Sequence, residues 1–185
     1  ENYGGSEFGY RGIGLVLEEL GRTLVAAPLI GSAVGAASAL ILGGTEAQKK
    51  AWLPKIADGS VVAALAIDEG TRHEPENIAM VATKSGGGYS LTGTKTFVME
   101  GMAADVFVVA ARTSGNPTDA KGVTLFLVPA DAKGLERKRR SLIDSRGYAD
   151  LTFKDVEAGA DAVIGQADGG RELLDKTLDR ATAAV

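Results

Sequence analysis

A change of hydrophobic period near residue 60 constrains this 185-residue chain more than any other feature. Before it, apolar residues recur at helical spacing. After it come short runs rich in Val, Leu, Phe, Tyr and Thr, punctuated by Gly and Pro, and beyond Gly165 the helical spacing returns. A helical stripe and a strand alternation bury different faces, so the two kinds of segment form separate layers. The expected class is α+β, with a helical segment over 1–60, a β unit over 61–165 and the start of a further helical unit over 166–185.

In the first segment, Ile13, Val16, Leu17, Leu20 and Leu24 share one face, while Glu18, Glu19 and Arg22 take the other, which predicts a helix over about 10–24. From Leu24 to Leu42 no residue is charged. A run of this length would suit a membrane span, but small residues outnumber large ones and no basic or aromatic belt flanks it. It reads better as a helix buried in a bundle, with Pro28 in its first turn and Gly43-Gly44 as its stop. Thr45 with Gln48 forms a capping box, opening a helix whose apolar residues are Ala51, Trp52, Leu53 and Ile56 and which ends at Asp58-Gly59.

In the second segment VVAALAI, GYSLTG, KTFVMEG, DVFVVAAR, GVTLFLVPA and ADLTFKDV read as strands. SGGGYS is a hairpin or loose turn, and TSGNPTDAKG an exposed loop. Basic AKGLERKRR, residues 132–140, suits a charged outer strand better than a phosphate site. Leu173, Leu174, Leu178 and Ala181 form the face of a final helix stopping at Val185.

Composition removes much familiar chemistry. The net charge of -4 argues against nucleic acid or an anionic membrane as a partner. With no cysteine and one histidine, disulfides, thiolate zinc sites and multi-histidine metal centres are excluded. Asp68, Glu69, Glu74 and Glu76 cluster, but an acidic loop near a turn is ordinarily solvated, so no metal site is assigned. The start holds neither Met nor a signal-peptide pattern, so a piece of a longer cytoplasmic protein is expected.

Several motifs together resemble the acyl-CoA dehydrogenase family. ENYGG is similar to its Glu-x-Tyr-Gly-Gly loop, and TEAQKKAWLPKIADG to its Gly-(Thr/Ser)-x-x-Gln-Lys-x-x-(Tyr/Trp)-Leu-Pro-x-(Ile/Leu)-Ala-x-Gly helix. GYSLTGTKTFVMEGMAAD resembles the Tyr-x-Leu-x-Gly-x-Lys-x-(Phe/Trp)-Ile-(Thr/Ser)-Asn-x-x-x-Ala-Asp strand pair, and LTFKDVEAGADAVIG the exit from the β domain. The resemblance implies an N-terminal helical domain, a middle β-barrel and a C-terminal helical domain, of which this chain holds the end of the first, the second, and one helix of the third. It further implies FAD as cofactor, an acyl-CoA substrate and a homo- or hetero-oligomer of related subunits. The implied reaction removes the α proton of the thioester while a β hydride passes to the flavin. The family's catalytic base is a Glu of the C-terminal domain, so no catalytic residue is assigned here.

Carrying the family's flavin loop, Leu-Thr-Glu-Pro-x-Ala-Gly-Ser-Asp, back from the Lys95 strand without gaps places Ile67 at the Thr, Asp68 at the Glu, Glu69 at the Pro, Arg72 at the Gly and His73 at the Ser. Phe97 falls at the aromatic beside the isoalloxazine ring, Met99 at a hydroxyl that hydrogen-bonds the cofactor, and Glu100 at the Asn. By resemblance the cofactor contacts are Ile67, Asp68, His73, Phe97 and Met99, with two hydroxyls lost. That loss raises an alternative: a non-catalytic subunit of a heteromeric member, poor in FAD binding. Ser145-Arg146 resembles a (Thr/Ser)-Arg segment of shorter family members, with Arg146 pairing a carboxylate or facing CoA.

Overall fold

The computed structural model describes residues 2–144 and 146–184. Glu1 of the opening motif, Ser145 of the Ser-Arg segment and Val185, the expected end of the last helix, lie outside the described residues.

The first helix, α1, spans Gly9–Arg22, so it closes before the apolar run that follows. Leu24 breaks it with a positive φ of 52°. The uncharged stretch then divides at Pro28 into a π-helical segment, Leu29–Ala36, running directly into α2, Ala37–Gly43. Small residues let this segment lie close to the sheet: a Cβ added at Gly35 would sit 2.8 Å from a Leu65 methyl. Among the described residues no helix is long and apolar enough to cross a membrane. Helix α3, Glu46–Ala57, opens with the expected capping box, in which the Gln48 N–H donates to Thr45 Oγ1 and Gln48 Oε1 accepts from the Thr45 N–H. The Gln48 amide also donates to the carbonyls of Asp161 and Val163, fastening α3 to the β layer.

Among the described residues eight strands follow: β1 Ala63–Ala66, β2 Val81–Ser85, β3 Gly88–Val98, β4 Val106–Arg112, β5 Val123–Pro129, β6 Leu135–Arg139, β7 Ala149–Gly159 and β8 Val163–Ile164. Helix α4, Gly170–Thr182, closes the chain. GYSLTG and the first four residues of KTFVMEG, Lys95–Val98, belong to one long strand, β3, with register shifts between Leu91 and Gly93 and between Lys95 and Val98; Met99–Gly101 turn away from it. Strand β2 was not among the expected runs; it pairs with β3 across the SGGGYS hairpin. The basic run forms the outer strand β6.

The strand order β6-β7-β3-β2-β4-β5-β8, with β1 beside β4, corrects the expected barrel. The end strands β6 and β8 do not pair, so the sheet stays open. Its halves meet at a single β2–β4 pair, Val81 opposite Arg112, and fold face to face over one core. That core holds Leu91, Leu151 and Phe153 from one half and Phe107, Val109 and Phe126 from the other. A second core lies between the outer face of β1, β4 and β5 and the helices, and includes Leu40, Ile56, Val108, Leu125 and Leu174. Burial on both faces explains why β4 and β5 read as unbroken apolar runs.

Candidate functional site

The loop from Ile67 to Met80, joining β1 to β2, is stitched to the second half of β3. Within β3, the alternation that buries Tyr89 and Leu91 buries Lys95 as well, and its side chain is fully enclosed. Lys95 Nζ donates to the Ile67 carbonyl at 2.9 Å and to Glu69 Oε1 at 2.7 Å. Burial pulls the Lys95 ammonium down to about 8, against the opposing pull of Glu69. Next door, the Thr96 N–H donates to the Asp68 carbonyl and Thr96 Oγ1 to the Gly70 carbonyl.

The sequence-derived contacts fall into two neighbouring groups. Ile67 is buried in the helix-facing core, with its carbonyl on Lys95. Asp68 Oδ2 lies 2.9 Å from His73 Nδ1, while Asp68 Oδ1 accepts the Glu74 N–H. The loop tip, Gly70–Glu74, is exposed. Among the described residues the N–H groups of Gly70, Thr71, Arg72 and His73 make no hydrogen bond.

Phe97 and Met99 form the second group, Phe97 at the second β3 register shift and Met99 just past the strand's end. Phe97 has φ 51°, rare for a bulky residue, and this holds its ring half-buried at the sheet surface. The Arg140 guanidinium lies 4.1 Å from the ring centre. Asp150 takes Arg140 through two hydrogen bonds of 2.8 and 2.6 Å and also accepts the Phe97 N–H at 3.3 Å. Burial pulls the Asp150 carboxyl up, but these donors outweigh it and leave it below the usual carboxylate range. Met99 Sδ receives a 3.8 Å contact from Arg146 Nη1. The same nitrogen lies 3.6 Å from Glu100 Oε1, a buried atom with no hydrogen-bond partner among the described residues. Burial raises the Glu100 carboxyl above its ordinary range, partly opposed by Arg146. Arg146 thus both pairs a carboxylate and lines a cavity of about 680 Å³ walled by Leu17, Leu20, Leu24, Ile30 and Ile143.

Reading by residue type missed Glu69 and Lys95. The signal was present in β3, where strand alternation points Lys95 inward, and a buried lysine requires an acid or carbonyl partner nearby. The acidic loop residues do not assemble as a metal cluster; none is present among the described residues.

Two family models match: the acyl-CoA dehydrogenase N-terminal domain over residues 1–60 and the acyl-CoA dehydrogenase middle domain over 63–156. The mitochondrial isovaleryl-CoA dehydrogenase of Pongo abelii is 33% identical over 96% of this chain and 44% of its own length. Acyl-CoA dehydrogenase FadE12 of Mycobacterium tuberculosis is 31% identical over 91% of this chain and 44% of its own. Among solved structures, butyryl-CoA dehydrogenase from Megasphaera elsdenii superposes with a TM-score of 0.90 at 27% identity, covering 99% of this chain and 51% of that one. The chain therefore spans about half the length of the relatives that it matches.

Proposed function

The chain belongs to the acyl-CoA dehydrogenase family, and from that premise we propose that it forms the flavin-facing part of a protein that oxidises an acyl-CoA thioester at its α,β bond. The observation that carries this reading is the joined surface of Phe97 and the β1–β2 loop, stitched together by Thr96.

The residues fit FAD as a platform with an anion-binding loop. Phe97, held outward by its strained backbone, offers a flat apolar face with a cation beside it. The exposed loop tip offers free N–H groups and Arg72, which suit a diphosphate. Burial of Ile67 suits the apolar residue that opens the family's loop motif. That register moves Asp68 to the hydroxyl position and Glu69 to the Glu, and either register leaves the hydroxyl missing. Met99 likewise gives a thioether where a hydroxyl would donate. FAD, when bound, supplies the hydride acceptor. This chain's residues orient it, keep water from its apolar face and leave proton abstraction to a carboxylate outside the chain. The substrate is an acyl-CoA, and subunits associate with related copies.

The test is purification of the full-length protein. The expected result is a yellow protein that reduces an electron acceptor when given an acyl-CoA. A colourless protein that stays inactive with added FAD would sink the reading, and flavin appearing only on co-expression with a related subunit would support the non-catalytic alternative.

A further inference from the structure

Three cationic side chains from three different elements hold the β1–β2 loop. Lys95 of β3 takes the Ile67 carbonyl and Glu69. Arg112 of β4, itself buried, donates to the Ile78 carbonyl at 3.2 Å. Arg171 of α4 donates to the carbonyls of Pro75 at 2.7 Å and Glu76 at 3.1 Å. Glu69 is the acid that joins the two ends. Besides Lys95, its carboxylate accepts the N–H groups of Ala79 at 2.9 Å and Met80 at 3.0 Å. The tip, Gly70–Glu74, makes none of these bonds; Thr96 on the Gly70 carbonyl, and Asp68 on His73 and the Glu74 N–H, hold its two ends.

The Lys95–Glu69 pair is poorly suited to stabilising the fold. A buried ion pair loses hydration that its mutual attraction barely repays, and an apolar pair of similar size would often do as well. What such a pair does supply is a fixed position. The charged groups around it are Asp68 with its partner His73 on the same loop, and Arg112 from β4, while β7 contributes only apolar Leu151 opposite Lys95.

We propose that Glu69 and Lys95 are positioning residues: they pin both ends of the β1–β2 loop so that its tip presents free N–H groups and Arg72 to a diphosphate-bearing ligand. This rests on the flavin-side reading of the loop given above.

The test uses the full-length protein and its Glu69→Gln variant, which is isosteric and keeps one acceptor oxygen, placed where Oε2 takes both the Ala79 and Met80 N–H groups. Trypsin cutting after Arg72 reports loop opening, with cutting after Lys121, in a separate exposed loop, as the internal reference. Amide exchange of β4 and β5 reports the core, and FAD titration reports the tip. Glu69→Gln should raise the Arg72-to-Lys121 cleavage ratio about tenfold and weaken FAD binding by about as much, with β4 and β5 protection unchanged. Lys95→Met should act in the same direction. An unchanged cleavage ratio, a parallel loss of β4 and β5 protection, or a looser loop with undiminished FAD affinity would each overturn the positioning role. If the loop loosens with the core intact while the wild-type protein binds no FAD, the pinning stands and the flavin reading falls.

Discussion

Asp150 binds the Phe97 backbone and the Arg140 guanidinium with one carboxylate, so the ring and the cation stacked on it share a single anchor. Lys138 sits opposite Asp150 across the β6–β7 ladder, adding a second positive charge beside that anchor. The ring's unusual backbone and its cationic neighbour are therefore not independent features.

That anchor has a pH signature. The folded-state pKa of Asp150 lies below its unfolded value, so its contribution to stability is present above about pH 4 and is lost as the pH falls through the folded value. Asp150→Asn should lower the melting temperature at pH 6, by the equivalent of about 1 kcal/mol for a pair that is partly solvated. The gap between wild type and variant should close as the pH falls below about 4 and through the folded value, which thermal melts across the acid range will check.

Met99→Thr restores a hydroxyl where the family's flavin contact carries one. A neutral hydrogen bond contributes about 0.5–1.5 kcal/mol, so FAD affinity should rise roughly 2- to 12-fold. The flavin-to-protein absorbance ratio after exhaustive dialysis measures this directly. No gain in retained flavin would show that Met99 does not face the cofactor.

Lys95 shares the sign of Asp150's linkage, since both folded pKa values are lowered, but acts in the alkaline range. Its folded pKa is lowered from 10.5 to about 8, so between those values the unfolded chain binds more protons than the folded one. Its contribution should therefore make the protein more stable as the pH rises through that window, by on the order of 3 kcal/mol in all. Urea midpoints at pH 7.5 and 9.5 should show the rise in wild type, and the double variant K95M/E69Q should lack it.

Gln48→Leu removes half of the capping box and leaves the Asp161 and Val163 carbonyls without their donor. Loss of the cap and of two cross-layer bonds should destabilise the fold by about 2–3 kcal/mol. The melt should stay a single transition, because α2 and α4 still pack on the same core.

Local rules recovered much of this architecture because they act over a few residues. The Thr45–Gln48 cap, the α1 stripe and the apolar runs of β4 and β5 are all read from near neighbours in the chain. Strand β2 escaped notice because its exposed Val81, Thr83 and Lys84 give a weak apolar pattern, and only pairing with β3 and β4 makes it a strand. Closure of the sheet is hidden from local pattern for the same reason: whether β6 meets β8 depends on how two halves fold together. At the site, Phe97 and Met99 were visible through motif spacing, whereas the tie between Glu69 and Lys95 crosses 26 residues and depends on burial.

The two ends of the strand order are edges to which a further strand, from any chain, could add. Here each border is closed off differently. Strand β8 has only two residues, too short a template for a ladder. Strand β6 is longer, but Glu136, Arg137, Lys138 and Arg139 are all exposed along it, and a second copy laid alongside would bring Arg and Lys against their own kind. The basic run thereby works against edge-to-edge pairing of copies through β6, which leaves association to other surfaces.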